Sequence, residues 1–211
     1  MSANAVTRNP ATAAIAIVTA LASALFIVGG GIEEAAYRFG FIAGRVGGMD
    51  IDGAMPVWLT PFSATLVHGG WLHLGLNLLM LVYAGSQVER VLGGANLLFA
   101  YLVGAVVAAA AQWLADPAAF QPMIGASGAI SAIFGIYALM AARPKAVTRS
   151  PQLNRAIHVG WLLGAWIAIQ WMNGMLSQGQ GVTLATAAHI GGFVAGLALQ
   201  RPLLLWHYRR A

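Results

Sequence analysis

The chain has no cysteine, which excludes disulfides and thiolate metal sites and leaves its redox compartment unmarked by thiols. Charge is also scarce. Only 8% of its 211 residues are charged, against about 25% in an ordinary soluble domain. With 59% hydrophobic residues, the chain can bury a large core but lacks the polar groups to cover it. Lipid as the surrounding solvent resolves that mismatch. There is no internal repeat and no low-complexity tract, and the apolar runs do not alternate as barrel strands do. The net charge of +5 comes from residues scattered between apolar segments. They form no basic stripe, so no nucleic-acid partner is expected.

Six apolar segments are present, at about residues 11–30, 71–88, 91–115, 124–142, 156–172 and 182–200. Most approach the roughly 20 residues that a spanning helix needs. A lipid-exposed open sheet would leave its edge groups unpaired, so the segments read as helices. The first is as long as a full span and is followed by others, which is not the pattern of a cleaved signal peptide. With the N-terminus in the cytoplasm, the inner side receives Arg8, Arg90, Arg143, Lys145, Arg149, Arg155, Arg201, Arg209 and Arg210, and the outer side only Arg38 and Arg45. This bias places both termini inside and favours an even number of spans. The expected fold is therefore all-α: one polytopic membrane domain over residues 1–211 with six spans. The long outer loop, residues 31–70, carries Met55, Val57, Trp58, Leu59 and Phe62, which suit a position partly within the interface.

The informative residues are the polar ones inside apolar segments. The second segment holds His73 and Asn77, with His68 just before it; the fourth holds Ser127 and Ser131; the sixth holds His189. At about 1.5 Å per residue, Ser127 and His189 lie roughly 5 Å and 10 Å below the outer boundary. His73 and Asn77 are four apart and share a helix face. His68 is about half a revolution away from Asn77, which predicts a different, structural job. Gly192 and Gly196 share a face with His189 and form a small-residue ridge. The fourth segment, small along its own face, is the natural partner, and close approach would bring the Ser127 hydroxyl to the His189 ring.

A serine hydroxyl becomes an effective nucleophile when a neighbouring base accepts its proton, and neutral histidine is such a base. The tetrahedral intermediate then needs donors for its oxyanion. Asn77, His73 and the Ser127 backbone N–H are the candidates, the last aided by the partial positive charge of a helix N-terminus. No acidic residue lies in the fourth or sixth segment, which predicts a Ser–His dyad.

These strings resemble the rhomboid family of intramembrane serine proteases. GASGA, with Gly125 and Gly128 around Ser127, is similar to the family's G-x-S-G motif. AHIGGFVAG, with His189, Gly192 and Gly196, is similar to its last catalytic helix, and HGGWLHLGLN, from His68 to Asn77, to its second. The resemblance implies a six-helix bacterial-type rhomboid with a Ser127–His189 dyad and an oxyanion site of His73, Asn77 and the Ser127 amide. It implies that Glu89 is a structural acid at the inner end of the second span and that the first loop lies sideways in the outer leaflet. It implies substrates that are themselves transmembrane proteins in the lipid bilayer, and neither cofactor nor metal. The short basic tails point to a bacterial inner membrane, with the active site toward its outer face.

Two positions depart from the family pattern. The first loop reads Trp58-Leu59 where Trp-Arg is common, and Ser131 stands where some members place a tyrosine beneath the catalytic ring. Support for His189 must then come from elsewhere. The fifth loop, about residues 173–181, carries Gly174, Gly179 and Gly181 and suits a movable cap. Three other functions compete. A non-catalytic rhomboid-like binder or chaperone of transmembrane helices would usually lack the serine or the histidine, and both are present. A proton channel would need polar residues through both leaflets. A zinc protease would need an H-E-x-x-H pattern, which is missing.

Overall fold

Among the described residues every regular element is helical, and the one β contact is an isolated antiparallel bridge between Phe41 and Met123. The computed structural model describes residues 9–141, 144–178 and 185–209, the side chains at 171 and 173–178 excepted. Helix α1 is Pro10–Val28 and α2 is Ile32–Phe39. After a loop of short helical turns come α3, Trp71–Leu92, and α4, Gly94–Ala115. The chain continues through α5, Ser127–Ala141, α6, Pro151–Gln178, and α7, Thr186–His207. By length and composition α1, α4 and α7 can each cross a bilayer. The turns of Val57–Leu66 and α3 make a fourth apolar unit, bent by 92°.

Helix α1 is polar inside and apolar outside. Thr12, Thr19 and Ser23 are buried, while Leu21, Leu25 and Val28 are 64%, 75% and 78% exposed. In water this arrangement would be self-defeating; in lipid it is expected, because small and hydroxylic residues pack helices and leucine faces the hydrocarbon. The core lies where α3, α4, α5 and α7 meet. Leu81, Val88 and Leu92 of α3, Leu97 and Tyr101 of α4, Ile133 and Ile136 of α5, and Leu203 of α7 fill it.

Small residues set the depth of packing around α5. A Cβ on Gly192 would strike the Gly128 carbonyl, and one on Gly196 the Ala132 carbonyl. On the opposite side, a Cβ on Gly128 would meet Ala108 of α4. Helix α5 is thus clasped between α4 and α7 at backbone distance.

Several boundaries differ from the sequence reading. Helix α3 passes through a π-helical turn at Leu81–Gly85 and continues beyond residue 88 to Leu92. Helix α5 starts at Ser127 rather than near Ile124, because residues 123–126 are occupied in pairing with the first loop. Helix α6 runs from Pro151 to Gln178 and takes in Asn173 and Gly174, expected in a loop. Helix α7 continues through Arg201 and Pro202 to His207. Gly179, Gly181, the start of the sixth segment at Val182, and Arg8, Arg143 and Arg210 of the charge count lie outside the described residues.

The first loop is tied down without an arginine beside Trp58. The Arg45 guanidinium donates to the Met55 carbonyl at 2.9 Å, and the Ser63 hydroxyl donates to the Phe39 carbonyl at 2.6 Å. Trp58 itself is 70% exposed.

Candidate active site

Ser127 is the first residue of α5, and the segment before it is extended by backbone pairing. Phe41 and Met123 exchange hydrogen bonds of 3.0 and 2.8 Å, and the Gly125 N–H donates to the Ala64 carbonyl at 2.9 Å. The first loop thereby fixes the point at which α5 begins. Gly125 has φ +106°, a conformation that favours glycine. A Cβ there would lie only 2.8 Å from Cε1 and Nε2 of His73. The missing side chain is what lets the His73 ring sit beside Ser127.

The Ser127 hydroxyl lies 2.7 Å from Nε2 of His189. The two residues come from α5 and α7, and the glycine contacts between those helices bring them within hydrogen-bonding reach. His189 is buried. Its other ring nitrogen, Nδ1, is 2.8 Å from Oε1 of Gln170 on α6. The Trp166 indole N–H, one turn earlier on α6, donates to the His189 carbonyl at 3.2 Å. The Ser131 hydroxyl donates to the Ser127 carbonyl at 2.7 Å.

The second group of polar residues gathers at the top of α3. The Gly69 N–H donates to Nδ1 of His73 at 3.2 Å, so Nδ1 is an acceptor and Nε2 carries the ring proton. That N–H sits on the Gly125 side, near the Ser127 hydroxyl. The Asn77 amide donates to the His73 carbonyl at 2.9 Å, which holds it on the same face. His68 lies just before the helix, where Gly70, with φ +140°, turns the chain ahead of Trp71. Its ring returns to pack edge-on against His73, with centroids 4.9 Å apart. Nδ1 of His68 meets the Ser23 hydroxyl at 2.8 Å, and Nε2 accepts from the Ala126 N–H at 3.4 Å. His68 thus links α1 to Ala126, the residue before Ser127.

Ser127, His189, His73, Asn77 and His68 therefore form one cluster. Glu89 does not belong to it. Its carboxylate accepts from the backbone N–H groups of Ala11 and Thr12, both at 2.8 Å, and from the Thr12 hydroxyl at 2.6 Å. It caps α1 at the other end of α3. Among the described residues no group of three or more His, Asp or Glu side chains is placed to hold a metal ion.

A hydroxyl on a helix N-terminus, an imidazole against it and a second imidazole N–H alongside are the parts of an acyl-transfer centre. The Rhomboid domain family model matches residues 56–206, the greater part of the chain and all of these residues. The chain belongs to the rhomboid family. It is 32% identical to Rhomboid protease GlpG of Pectobacterium atrosepticum over 139 residues, covering 65% of this chain and 46% of that protein. It is 31% identical to Rhomboid protease GlpG of Yersinia pestis over 138 residues, covering 65% of this chain and 45% of that one. The matched region spans just under half the length of these curated relatives.

In this rhomboid, sequence reasoning missed Gln170 and Trp166. The signal was available. Gln170 is a polar residue inside an apolar segment, the same criterion that singled out Ser127 and His189.

Proposed function

We propose that this rhomboid is an intramembrane serine endopeptidase that cleaves peptide bonds in or near transmembrane segments of other membrane proteins. The 2.7 Å contact between the Ser127 hydroxyl and Nε2 of His189 carries the reading. Ser127 attacks the scissile carbonyl as its proton passes to Nε2 of His189. The oxyanion forms near the Ser127 backbone N–H, the His73 ring N–H and the Asn77 amide. Collapse of the intermediate sends the Nε2 proton to the leaving amine and leaves an acyl-enzyme at Ser127. Water, deprotonated by His189, then releases the second product and restores the dyad.

The same reading includes a single membrane domain with six spans, α5 and α6 among them, and both termini in the cytoplasm. The active site opens toward the outer face of a bacterial inner membrane. The charge bias between segments supports the orientation, and the polar outside-in order of α1 supports the lipid surroundings.

The test is cleavage of a model single-span substrate by purified protein in detergent, beside Ser127→Ala and His189→Ala. The wild type is expected to cleave, and each variant to lose at least about a thousandfold while still folding. Full activity in either folded variant would remove the dyad. If the wild type fails both to cleave and to label Ser127 with a fluorophosphonate, the chain is a binder of transmembrane helices instead.

A further inference from the structure

The proposed mechanism needs one tautomer of His189. To accept the Ser127 proton, Nε2 must present its lone pair, so the ring hydrogen must sit on Nδ1. A buried N–H without an acceptor is costly. Among the described residues no carboxylate bonds His189; the partner of Nδ1 is Oε1 of Gln170, at 2.8 Å.

Gln170 is itself held for this purpose. It is buried, 6% exposed, and lies one turn beyond Trp166 on the same face of α6. The Trp166 ring stacks on Phe193 of α7, with centroids 4.7 Å apart and planes within 9°, and faces Phe134 of α5 at 6.0 Å. Its indole N–H then bonds the His189 carbonyl. Helix α6 therefore grips His189 twice, by the backbone through Trp166 and by the ring through Gln170. With Nδ1–H facing it, the amide must turn its oxygen to the ring, since the opposite orientation would set NH₂ against N–H. An amide supplies this acceptor with no charge in an apolar bundle, where a carboxylate would be expensive.

We propose that Gln170 is the positioning residue that fixes His189 as the Nδ1–H tautomer and aims Nε2 at Ser127, the third member of a Ser127–His189–Gln170 relay. This rests on the serine protease reading above.

The discriminating variants are Gln170→Met, which keeps the shape and removes the acceptor, and Gln170→Glu, which keeps an acceptor oxygen. Three measurements are made on each: steady-state kinetics with a single-span substrate, giving kcat and KM, the thermal midpoint in detergent, and the ¹⁵N spectrum of labelled His189. Gln170→Met is expected to lower kcat about tenfold to a hundredfold with KM little changed, a part of the roughly 10²–10⁴-fold that general-base catalysis supplies. Its His189 signal should leave the Nδ1–H form that the wild type shows. Gln170→Glu should recover most of the rate. Wild-type kcat and an unchanged tautomer in Gln170→Met would overturn the proposal. So would equal losses in both variants, tracking their thermal midpoints, with the tautomer unmoved. Wild-type protein that neither cleaves nor labels with a fluorophosphonate would instead sink the protease reading, while the ¹⁵N spectra would still report whether Gln170 sets the tautomer.

Discussion

Glu89 holds the first turn of α1 from the far end of α3: its two carboxylate oxygens accept from the Ala11 and Thr12 N–H groups and from the Thr12 hydroxyl. A helix start leaves four N–H groups without intrahelical partners, and inside an apolar bundle water is not at hand to satisfy them. A carboxylate there also complements the helix dipole. Glu89→Ala is expected to destabilise the protein by about 2–4 kcal/mol, since bonds to a charged acceptor are worth roughly 1.5–3 kcal/mol each and do not simply add. Glu89→Gln, which keeps one acceptor oxygen, should lose less. Thermal unfolding in detergent checks the order, and equal midpoints for wild type and Glu89→Ala would contradict it.

Gly196 sits where α7 crosses Ala132 of α5, and a side chain there would overlap the Ala132 carbonyl. Gly196→Ala must push the two helices apart, at a cost of about 1–3 kcal/mol. Because Ser127 and His189 ride on those helices, the 2.7 Å contact should widen as well. The expected result is a lower thermal midpoint together with slower fluorophosphonate labelling. A variant that melts and labels like the wild type would mean that the helices do not meet there.

His68 is fully buried in the turn before α3. Burial first, and then the neighbouring His73, hold its pKa down at about 3, against a smaller upward pull from Asn77. The folded protein therefore keeps His68 neutral where the unfolded chain, near the ordinary 6.5, would protonate it. Its contribution is complete above about pH 6.5 and is lost progressively as the pH falls toward 3. The thermal midpoint should drop between pH 7.5 and 5, and His68→Gln, less stable at the outset, should show a shallower drop. An identical slope in the variant would assign the acid sensitivity to other groups.

The polar residues of the site were legible in the sequence because the membrane makes them conspicuous. Ser127, His189, His73 and Asn77 each interrupt an apolar run, and each lies in the cluster. The start of α5 was not legible. Ile124, Gly125 and Ala126 are as compatible with a helix as the residues after them, and what keeps them out of it is the pairing of Met123 with Phe41, Gly125 with Ala64 and Ala126 with His68, all distant in sequence. That His68 precedes the helix was legible, but its packing against His73 was not, since that depends on the turn at Gly70. Gln170 was overlooked although its signal was of the same kind as that of His189.

The seat that Gly125 gives His73 ties the mutational fates of the two positions together. Any larger residue at 125 meets the imidazole before it meets anything else, so the first step away from glycine is blocked while the histidine remains. Shrinking residue 73 first would open the space but remove a donor beside Ser127. The positive φ of Gly125 would still strain any side chain there, so even a paired change does not free the position. Random mutagenesis of this chain should therefore recover few functional clones with any substitution at Gly125, whether or not His73 has been altered.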